Sequence, residues 1–397
     1  MNILRRMLRL IVFVLLQGII VVALLEIIAR VFNPLGISYY PETARYLDTL
    51  VLEEPIGYRN RPGLQDKFYG VPVSINALGL RDRDVGEKTP GEFRILVMGD
   101  SVPFGIGVRY EDSYPHQMEV LLNEQFPGRR FRTLNLGVPS YNTEQELIQL
   151  KSLGLSLKPD AVALLFSNND IEPKLWVLDK RRKWYVDLIQ RSYAGSLLFV
   201  LFRDVRQQLK GLALPATDAS NPTLDDSAVT FSEYRTGSLR WQAIDRSLTE
   251  INRLLKQRKI PFVLFTNSEL PFIVKMLDVV ARREGFPLVN LIRNEDPRWA
   301  GQDERLFHNS VVDAHPTPLG NRALATLINE KLLDQRMPGM TGIDVARLLR
   351  TEGHRGRIVL YSAYLTDEVE HDAAGIGIET VGKTDFDRLF DLLEAAV

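Results

Sequence analysis

Short apolar runs bounded by turn-forming residues constrain the fold of this chain most strongly. Five follow one another after residue 93: RILVMGD, TLNLGVP, AVALLFSNND, PFVLFTN and PLVNL. Amphipathic stretches such as YPHQMEVLLNEQF and TEQELIQLKSLGL lie between them. Apolar strands without polar alternation are typical of a parallel sheet covered by helices on both faces. The sequence therefore predicts an α/β fold with a doubly wound parallel sheet.

The N-terminal stretch MNILRRMLRLIVFVLLQGIIVVALLEIIARVF contains a nearly unbroken apolar run. The run reaches membrane-spanning length, about 20 residues, only when Glu26 and Arg30 lie at the far interface, where an i,i+4 ion pair can form. We therefore predict a transmembrane anchor over residues 10–32. A cleaved signal peptide is the rival interpretation, but no small-x-small cleavage pattern follows the run. A buried core helix is rarely apolar on every face.

Charge around this segment predicts its orientation. Arg5, Arg6 and Arg9 precede the apolar run and few basic residues follow it directly, which places residues 1–9 in the cytoplasm. We expect a single-pass protein of the cell inner membrane whose remaining chain is extracytoplasmic (periplasmic). The formal net charge of −1 gives no electrostatic reason to expect a nucleic-acid partner. The absence of cysteine excludes disulfides, thiolate catalysis and cysteine metal sites.

Changes in composition divide the rest of the chain. Residues 33–92 form a lead-in with small strands, residues 93–332 carry the α/β pattern, and residues 333–397 form a separate C-terminal segment. Residues 171–240 interrupt the α/β rhythm, which predicts an insertion beside the site. The insertion contains a basic run that is either a solvated face or a contact for an anionic substrate or lipid headgroups: Lys180, Arg181, Arg182 and Lys183.

Ligands of open parallel sheets gather at the carboxyl ends of the strands. Polar motifs follow the predicted strands at four places: Gly99-Asp100-Ser101, Gly137, Asn168-Asn169-Asp170 and Asp313-Ala314-His315-Pro316. Together they supply a hydroxyl, an imidazole base, a carboxylate and hydrogen-bond donors. Acyl transfer needs this set, because a serine is inert until a base takes its proton and fixed donors must stabilise the tetrahedral oxyanion.

The motifs resemble, in chain order, the blocks of the SGNH (GDSL-type) hydrolase family over roughly residues 93–332, and INALGLRD ahead of the first block looks like its membrane-anchored members. The resemblance implies an SGNH-hydrolase-like, flavodoxin-like three-layer fold and no cofactor. It makes Ser101 the nucleophile, His315 the general base and Asp313 the carboxylate that orients it. The implied oxyanion donors are the N–H groups of Ser101 and Gly137 and the side-chain amide of Asn169.

The chain departs from the family pattern twice. One residue separates Asp313 from His315, where the family has two, and SNND replaces GxND, so Asn168 competes with Asn169 as the inward-pointing amide. Asp100 is expected to fix the turn by hydrogen bonding. Of the other histidines, His116 lies in a helical pattern and His308 has no acid partner in sequence. Asp313, His315 and His308 do not make a dense ligand set, so no metal site is predicted.

The C-terminal segment resembles the second half of a response-regulator receiver domain through LLDQRMPGMTGIDVARLLR, RIVLYSAY and ETVGKTD. By motif, Asp334 takes the phospho-acceptor position, Ser362 the switch hydroxyl and Lys383 the phosphate-contacting lysine. The acidic pair that holds magnesium is missing, because the closing helix of the α/β region precedes Asp334. We expect these three residues to be inactive and the segment to be a partial receiver-like unit.

Two classes of function follow. The first is a membrane-anchored serine esterase or O-acyltransferase that acts on extracytoplasmic O-acylated carbohydrate, or on a small ester, through an acyl-enzyme at Ser101. The second is a signalling or scaffold protein in which the hydrolase fold only binds and is coupled to the receiver-like tail. The complete set of triad and oxyanion residues favours the enzyme.

Overall fold

The computed structural model describes residues 2–181, 184–211, 233–291, 296–334, 359–362 and 367–382. The strands are β1 (Val51–Glu53), β2 (Gly57–Arg59), β3 (Gln65–Phe68), β4 (Val71–Ser74), β5 (Glu92–Gly99), β6 (Arg130–Asn135), β7 (Ala161–Phe166), β8 (Phe262–Thr266), β9 (Leu288–Asn290), β10 (Val359–Ser362) and β11 (Glu379–Gly382). The helices are α1 (Asn2–Phe32), α2 (Tyr39–Leu47), α3 (Ser101–Phe104), α4 (Tyr114–Gln125), α5 (Thr143–Ser152), α6 (Trp176–Arg181), α7 (Trp184–Arg191), α8 (Tyr193–Gly211), α9 (Leu239–Gln257), α10 (Pro271–Glu284), α11 (Pro318–Asp334) and α12 (Asp367–Gly375).

A five-stranded parallel sheet with the order β6-β5-β7-β8-β9 forms the centre of the chain. In the register, Leu96 of β5 lies opposite Leu134 of β6 on one side and Val162 of β7 on the other. The order reverses between β5 and β7, because the chain first moves out to β6 and then returns past β5. The predicted α/β fold with a parallel sheet is confirmed.

Both faces of the sheet are buried. Leu96 and Met98 of β5 contribute to one hydrophobic core, which α5, α9 and α10 complete. Ile95 and Val97 contribute to the other core, which α4 and α11 complete. Alternate side chains of a strand point to opposite faces, so a strand that is covered twice needs apolar residues throughout. This requirement explains the unbroken apolar run of β5.

Helix α1 is the one described helix long and apolar enough to cross a membrane, over Arg9–Phe32. Length and composition alone suit a membrane anchor and a signal sequence equally. No residue of its most apolar window is buried within the protein, which excludes the core-helix interpretation. The predicted ion pair forms, with 2.8 Å between Arg30 Nε and Glu26 Oε1.

The predicted insertion contains helices α6, α7 and α8, which lie in sequence between β7 and α9. Trp184–Arg191 packs against α2 of the lead-in, where Arg191 forms a bidentate ion pair with Asp48 at 2.7 and 3.0 Å. The side chains of the basic run at 180–183 lie outside the described residues. Both interpretations of that run therefore stay predictions.

The C-terminal segment is described only in part. Strands β10 and β11 pair in parallel, and α12 lies between them in sequence. Asp334 is the last residue of α11 and Ser362 the last residue of β10, but neither side chain is among those described. Lys383 lies outside the described residues. The receiver-like assignment stays a prediction.

The lead-in packs on the turn that follows β5 through one buried arginine. Arg81 is 1% exposed, and its guanidinium donates hydrogen bonds to the carbonyl oxygens of Phe104, Gly105 and Val108. Burial lowers the pKa of Arg81 to about 10, so the group stays charged at neutral pH. Burying a charge costs free energy unless the group is hydrogen-bonded. Here Nη1 and Nη2 donate to the three loop carbonyls, whereas Nε has no partner within the described residues.

We expect Arg81→Ala to lower the free energy of unfolding by about 3 kcal/mol, because it leaves buried carbonyl groups without donors and creates a cavity. Thermal or chemical unfolding of the purified chain measures the loss. Arg61→Ala is the control, since Arg61 is exposed. Equal stability of the two variants would show that Arg81 does not hold this loop.

Candidate active site

Ser101 lies at the first turn of α3, directly after β5. Gly99 has a φ of 143°, and a Cβ there would come within 2.9 Å of the Leu165 carbonyl oxygen, so only glycine makes this sharp exit from the strand. Asp100 is 2% exposed, and its Oδ1 accepts a hydrogen bond from the Val102 N–H at 3.1 Å. Asp100 thus caps α3, as the sequence analysis expected.

The structure brings together Ser101, His315 and Asp313. His315 Nε2 lies 2.7 Å from Ser101 Oγ, and His315 Nδ1 lies 2.6 Å from Asp313 Oδ1. Asp313 Oδ1 also accepts a hydrogen bond from the His315 backbone N–H at 3.1 Å. The single residue between acid and base therefore permits a contact that fixes both the backbone and the ring. A carboxylate on Nδ1 holds the proton there and leaves Nε2 to accept the serine proton.

Two residues that the sequence analysis did not single out support this chain. Asn309 donates from Nδ2 to Asp313 Oδ2 at 3.1 Å and to the Ile106 carbonyl at 3.0 Å. Tyr39 packs on the His315 ring, with 5.8 Å between ring centroids. Nothing in the local sequence of either residue points to the site, since Tyr39 belongs to the lead-in and Asn309 to an irregular loop.

Opposing effects set the pKa of His315. Burial lowers it, whereas the negative charge of Asp313 and the hydrogen bond to that carboxylate raise it, with a further increase from Asp100. The result is a pKa above the usual value for histidine. An imidazole with a raised pKa is a stronger base, but it must lose its proton before it can accept one from Ser101.

Gly137 packs against α3, the helix that begins at Ser101, and its N–H already donates a hydrogen bond within the protein. It donates to Asn135 Oδ1 at 2.9 Å, and Asn135 Nδ2 donates in turn to the Pro103 carbonyl at 2.7 Å. A Cβ on Gly137 would lie 2.3 Å from the Phe104 nitrogen. The structure thus gives Gly137 a packing contact with α3, and it does not present this N–H as the free oxyanion donor that the sequence analysis expected.

Ser140, three residues further along the same loop, has a left-handed backbone with φ of 63°. No described residue accepts a hydrogen bond from its N–H. Ser140 therefore has a backbone donor that is unpaired within the described part of the chain. The sequence signal is weak, because a serine in VPSYN reads as an ordinary turn residue.

The two asparagines after β7 differ in their surroundings. Asn168 has a carbonyl that accepts a hydrogen bond from Tyr234 Oη at 2.8 Å, and its Oδ1 is buried without a partner in the described part of the chain. Asn169 is half-buried, and its side chain makes no hydrogen bond to any residue that the structure describes. The amide of Asn169 is therefore free to bind a substrate oxygen.

A buried pair of acids lies behind these loops. Glu146 of α5 is fully buried and neither of its carboxyl oxygens has a partner in the described ranges; Asp170 Oδ2 accepts from Thr143 Oγ1 at 3.0 Å. Burial raises the pKa of both carboxyl groups well above their usual values, and the negative charge of Asp100 raises them further. Both groups therefore favour their neutral, protonated forms.

The other histidines do not compete with His315. His116 lies in α4, where burial lowers its pKa and its ring packs on Tyr110 at 4.8 Å between centroids. His308 is exposed, and its backbone forms an isolated antiparallel bridge with Pro316. Among the described residues, no group of three or more acids and histidines is arranged to hold a metal ion.

A family model decides the relationship of this chain to known proteins. The model of the GDSL-like Lipase/Acylhydrolase family matches residues 97–323, more than half of the 397 residues. The chain belongs to this family. Ser101, Asn169 and His315 all lie within the matched range, and family membership indicates an ester hydrolase.

The solved structures that match this chain are distant in sequence. They include a lipase/acylhydrolase from Enterococcus faecalis with 16% identity, which covers 60% of this chain and 95% of its own, with a TM-score of 0.36. An acetyl xylan esterase has 15% identity, 60% and 100% coverage and a TM-score of 0.37. A two-domain esterase active on acetylated mannans has 16% identity, 61% and 48% coverage and a TM-score of 0.36. The comparison with curated proteins gave no match.

The buried acids predict how stability depends on pH. Because their pKa values are raised on folding, the stability they contribute is present at low pH and is lost as the pH rises through the raised values. We expect the free energy of unfolding of Glu146→Gln to fall less than that of the wild type between about pH 5 and about pH 9. Denaturant titrations at several pH values measure this slope.

Glu144→Gln on the same helix is the control, since Glu144 is only half-buried and should leave the slope unchanged. An equally steep decrease in Glu146→Gln and in the wild type would contradict the interpretation of Glu146 as a buried neutral acid.

Proposed function

We propose that this chain is a membrane-anchored, extracytoplasmic serine esterase that removes acyl groups from O-acylated carbohydrate through an acyl-enzyme at Ser101. The observation that carries the proposal is the hydrogen-bonded chain from Ser101 Oγ through His315 to Asp313, with distances of 2.7 and 2.6 Å. A hydroxyl, a base and an orienting carboxylate in this order are the parts of an activated serine nucleophile.

In the proposed first step, Ser101 Oγ attacks the carbonyl carbon of the ester while its proton passes to His315 Nε2. Asp313 stabilises the imidazolium that forms, since its Oδ1 accepts the Nδ1–H. When the tetrahedral intermediate collapses, the bond from carbon to the leaving alcohol breaks and the alcohol takes the proton from His315. The acyl group remains on Ser101.

In the second step, His315 Nε2 takes a proton from a water molecule, whose oxygen attacks the acyl carbon. The bond from that carbon to Ser101 Oγ then breaks, His315 returns the proton to Oγ, and the acid is released. An O-acyltransferase differs only in the acceptor, because a sugar hydroxyl then takes the place of water. Both reactions use the same residues and the same acyl-enzyme. The ratio of acid to transferred ester, measured with an acetylated glycan and an excess of acceptor sugar, distinguishes the two.

The oxyanion of the intermediate needs fixed donors. We assign this role to the N–H of Ser101 and to the side-chain amide of Asn169, which is free of protein partners among the described residues. The N–H of Gly137, which the resemblance implies as the third donor, is bonded to Asn135 Oδ1 in this structure. Donors that are already oriented stabilise the developing charge without reorganisation.

The location and substrate class rest on the N-terminus and on family membership. We propose that residues 10–32 anchor the chain in the inner membrane with residues 1–9 in the cytoplasm, and that residues 93–332 form the periplasmic catalytic domain. An apolar helix of 24 residues, Arg9–Phe32, is long enough to span a bilayer. Acylated carbohydrate is one class of ester substrate accessible outside the cytoplasm.

We expect Ser101→Ala and His315→Ala each to lower kcat/KM for an aryl acetate and for an acetylated glycan by about 10³-fold or more, because either change removes the nucleophile or its base. Labelling by a fluorophosphonate probe should be lost with Ser101→Ala. His308→Ala, at an exposed histidine, should retain wild-type turnover and labelling. A wild-type protein that neither hydrolyses esters nor reacts with the probe would favour the scaffold hypothesis.

We expect Asn169→Ala to lower kcat by about 10²-fold with little change in KM, as for the loss of one oxyanion donor. Asn168→Ala is the matched control and should have a much smaller effect. Initial rates on an aryl acetate, with melting temperatures to confirm folding, make the comparison. If Asn168→Ala has the larger effect, the inward-pointing amide belongs to Asn168.

A further inference from the structure

Helix α8 of the insertion begins on the side of α1. Glu26 Oε2 accepts hydrogen bonds from Ser192 Oγ and from the Ala194 N–H, both at 2.8 Å, and Glu26 Oε1 accepts from the Tyr193 N–H at 3.2 Å. Arg30 lies over the Tyr193 ring, 5.1 Å from its centroid. One carboxylate of α1 therefore takes three donors at the start of α8.

This contact does for α8 what an N-cap residue does in most helices. The first N–H groups of a helix have no partner within it and carry partial positive charge, so a carboxylate at this end is stabilising. Here the cap comes from a residue 167 positions earlier in the sequence than Tyr193. Helix α8 is thus attached to the predicted membrane span by a specific polar contact.

The other feature of α8 is an exposed apolar stripe. Leu198, Leu201 and Phe202 are 59%, 48% and 68% exposed, although they follow the i, i+3, i+4 spacing that places residues on one helix face. Another face of α8 is buried against α1, where Val200 lies fully buried in a cluster with Ala29. The stripe is defined here as Leu198, Leu201 and Phe202, and no described residue of the protein covers it.

The attachment of α8 to the outer part of α1 indicates what covers the stripe. The span Arg9–Phe32 is about 36 Å long, somewhat more than the roughly 30 Å hydrocarbon core, so Glu26 lies near the outer end of that core. Phe202 is eight residues beyond Ala194, or about 12 Å along α8. An open groove along α1 from Val14 to Glu26 continues to Ser192, which joins the surfaces of the two helices.

We propose that the stripe of α8 lies in the outer interface of the same bilayer that α1 crosses, as a second membrane contact of the catalytic domain. The proposal rests on the proposed anchoring by α1. Interfacial helices bury an apolar face about 5–10 Å into the headgroup and acyl boundary, and the stripe offers three large side chains for this. A lipid surface continuous with the one around α1 covers it without any further partner.

The second contact sets the position of the active site. Val200 and Tyr40 belong to the same buried cluster as Ala29, and Tyr39, next to Tyr40, packs on the ring of His315. A catalytic domain attached by α1 alone could rotate about its linker, whereas attachment at α1 and α8 holds its orientation. The site then stands at a constant distance from the membrane surface.

Spin labelling tests the proposal directly, because the chain contains no cysteine and a single introduced cysteine is the only labelling site. The full chain is reconstituted in vesicles of phosphatidylethanolamine and phosphatidylglycerol after Leu198→Cys, Leu201→Cys or Phe202→Cys. Collision rates of each nitroxide with oxygen and with a water-soluble nickel complex are measured. We expect the ratio of oxygen to nickel accessibility at these positions to be several-fold higher than at the controls.

The controls are Leu239→Cys and Val279→Cys, at side chains that are 78% and 59% exposed and lie on α9 and α10. Ile20→Cys reports on the anchor itself. If Ile20→Cys shows lipid exposure while the three stripe positions match the controls, anchoring holds and the second contact is wrong. If the label at position 20 is exposed to water as the stripe positions are, both the proposed anchoring by α1 and the proposed second contact are wrong.

Glu26→Ala tests the role of the shared cap. We expect it to reduce the accessibility ratio at position 201 to the level of the Leu239→Cys control and to leave the ratio at position 20 unchanged, with esterase activity as the check of folding. Glu26→Gln, which keeps an acceptor oxygen, should reduce the accessibility ratio at position 201 by a smaller factor. A ratio at position 201 that is unaffected by Glu26→Ala would contradict the assignment of Glu26 as the link.

Discussion

Burial of both faces of the parallel sheet is the constraint on which the rest of the structure depends. Strand β5 pairs with β6 on one side and with β7 on the other, and apolar side chains at alternate positions fill two separate cores. Parallel strands all end at the same edge, so the residues that follow them must gather there. Ser101 after β5 and Asn169 after β7 share that edge for this reason.

The turn after β5 is held from outside the sheet as well as from within it. The lead-in contributes Arg81, whose guanidinium binds the carbonyls of the segment after Ser101, and Tyr39, which packs on His315. Asn309 connects the same segment to Asp313 through Ile106. These contacts make the lead-in part of the candidate site, because side chains from distant segments keep a fixed geometry only when both of their loops are held in place.

The acidic residues at and behind the candidate site have two kinds of surroundings. Asp313 raises the pKa of His315, whereas Glu146 and Asp170 lie buried behind the loops with pKa values raised by burial. Burial therefore favours the neutral, protonated forms of these two acids. Asp313 Oδ1 is hydrogen-bonded to the backbone and ring of His315, whereas neither carboxyl oxygen of Glu146 has a partner within the described residues.

The sequence by itself determined the α/β class, the parallel sheet and the apolar N-terminal helix, and its motifs singled out Ser101, Asp313 and His315 as candidate site residues, because apolar runs and short motifs are local patterns. It did not determine that the Gly137 N–H is bonded to Asn135, that Tyr39 packs on His315, or that Glu26 caps α8. Each of these joins segments far apart in the chain or depends on backbone direction. Only the tertiary structure decides such contacts, because packing, rather than local pattern, selects which distant groups meet.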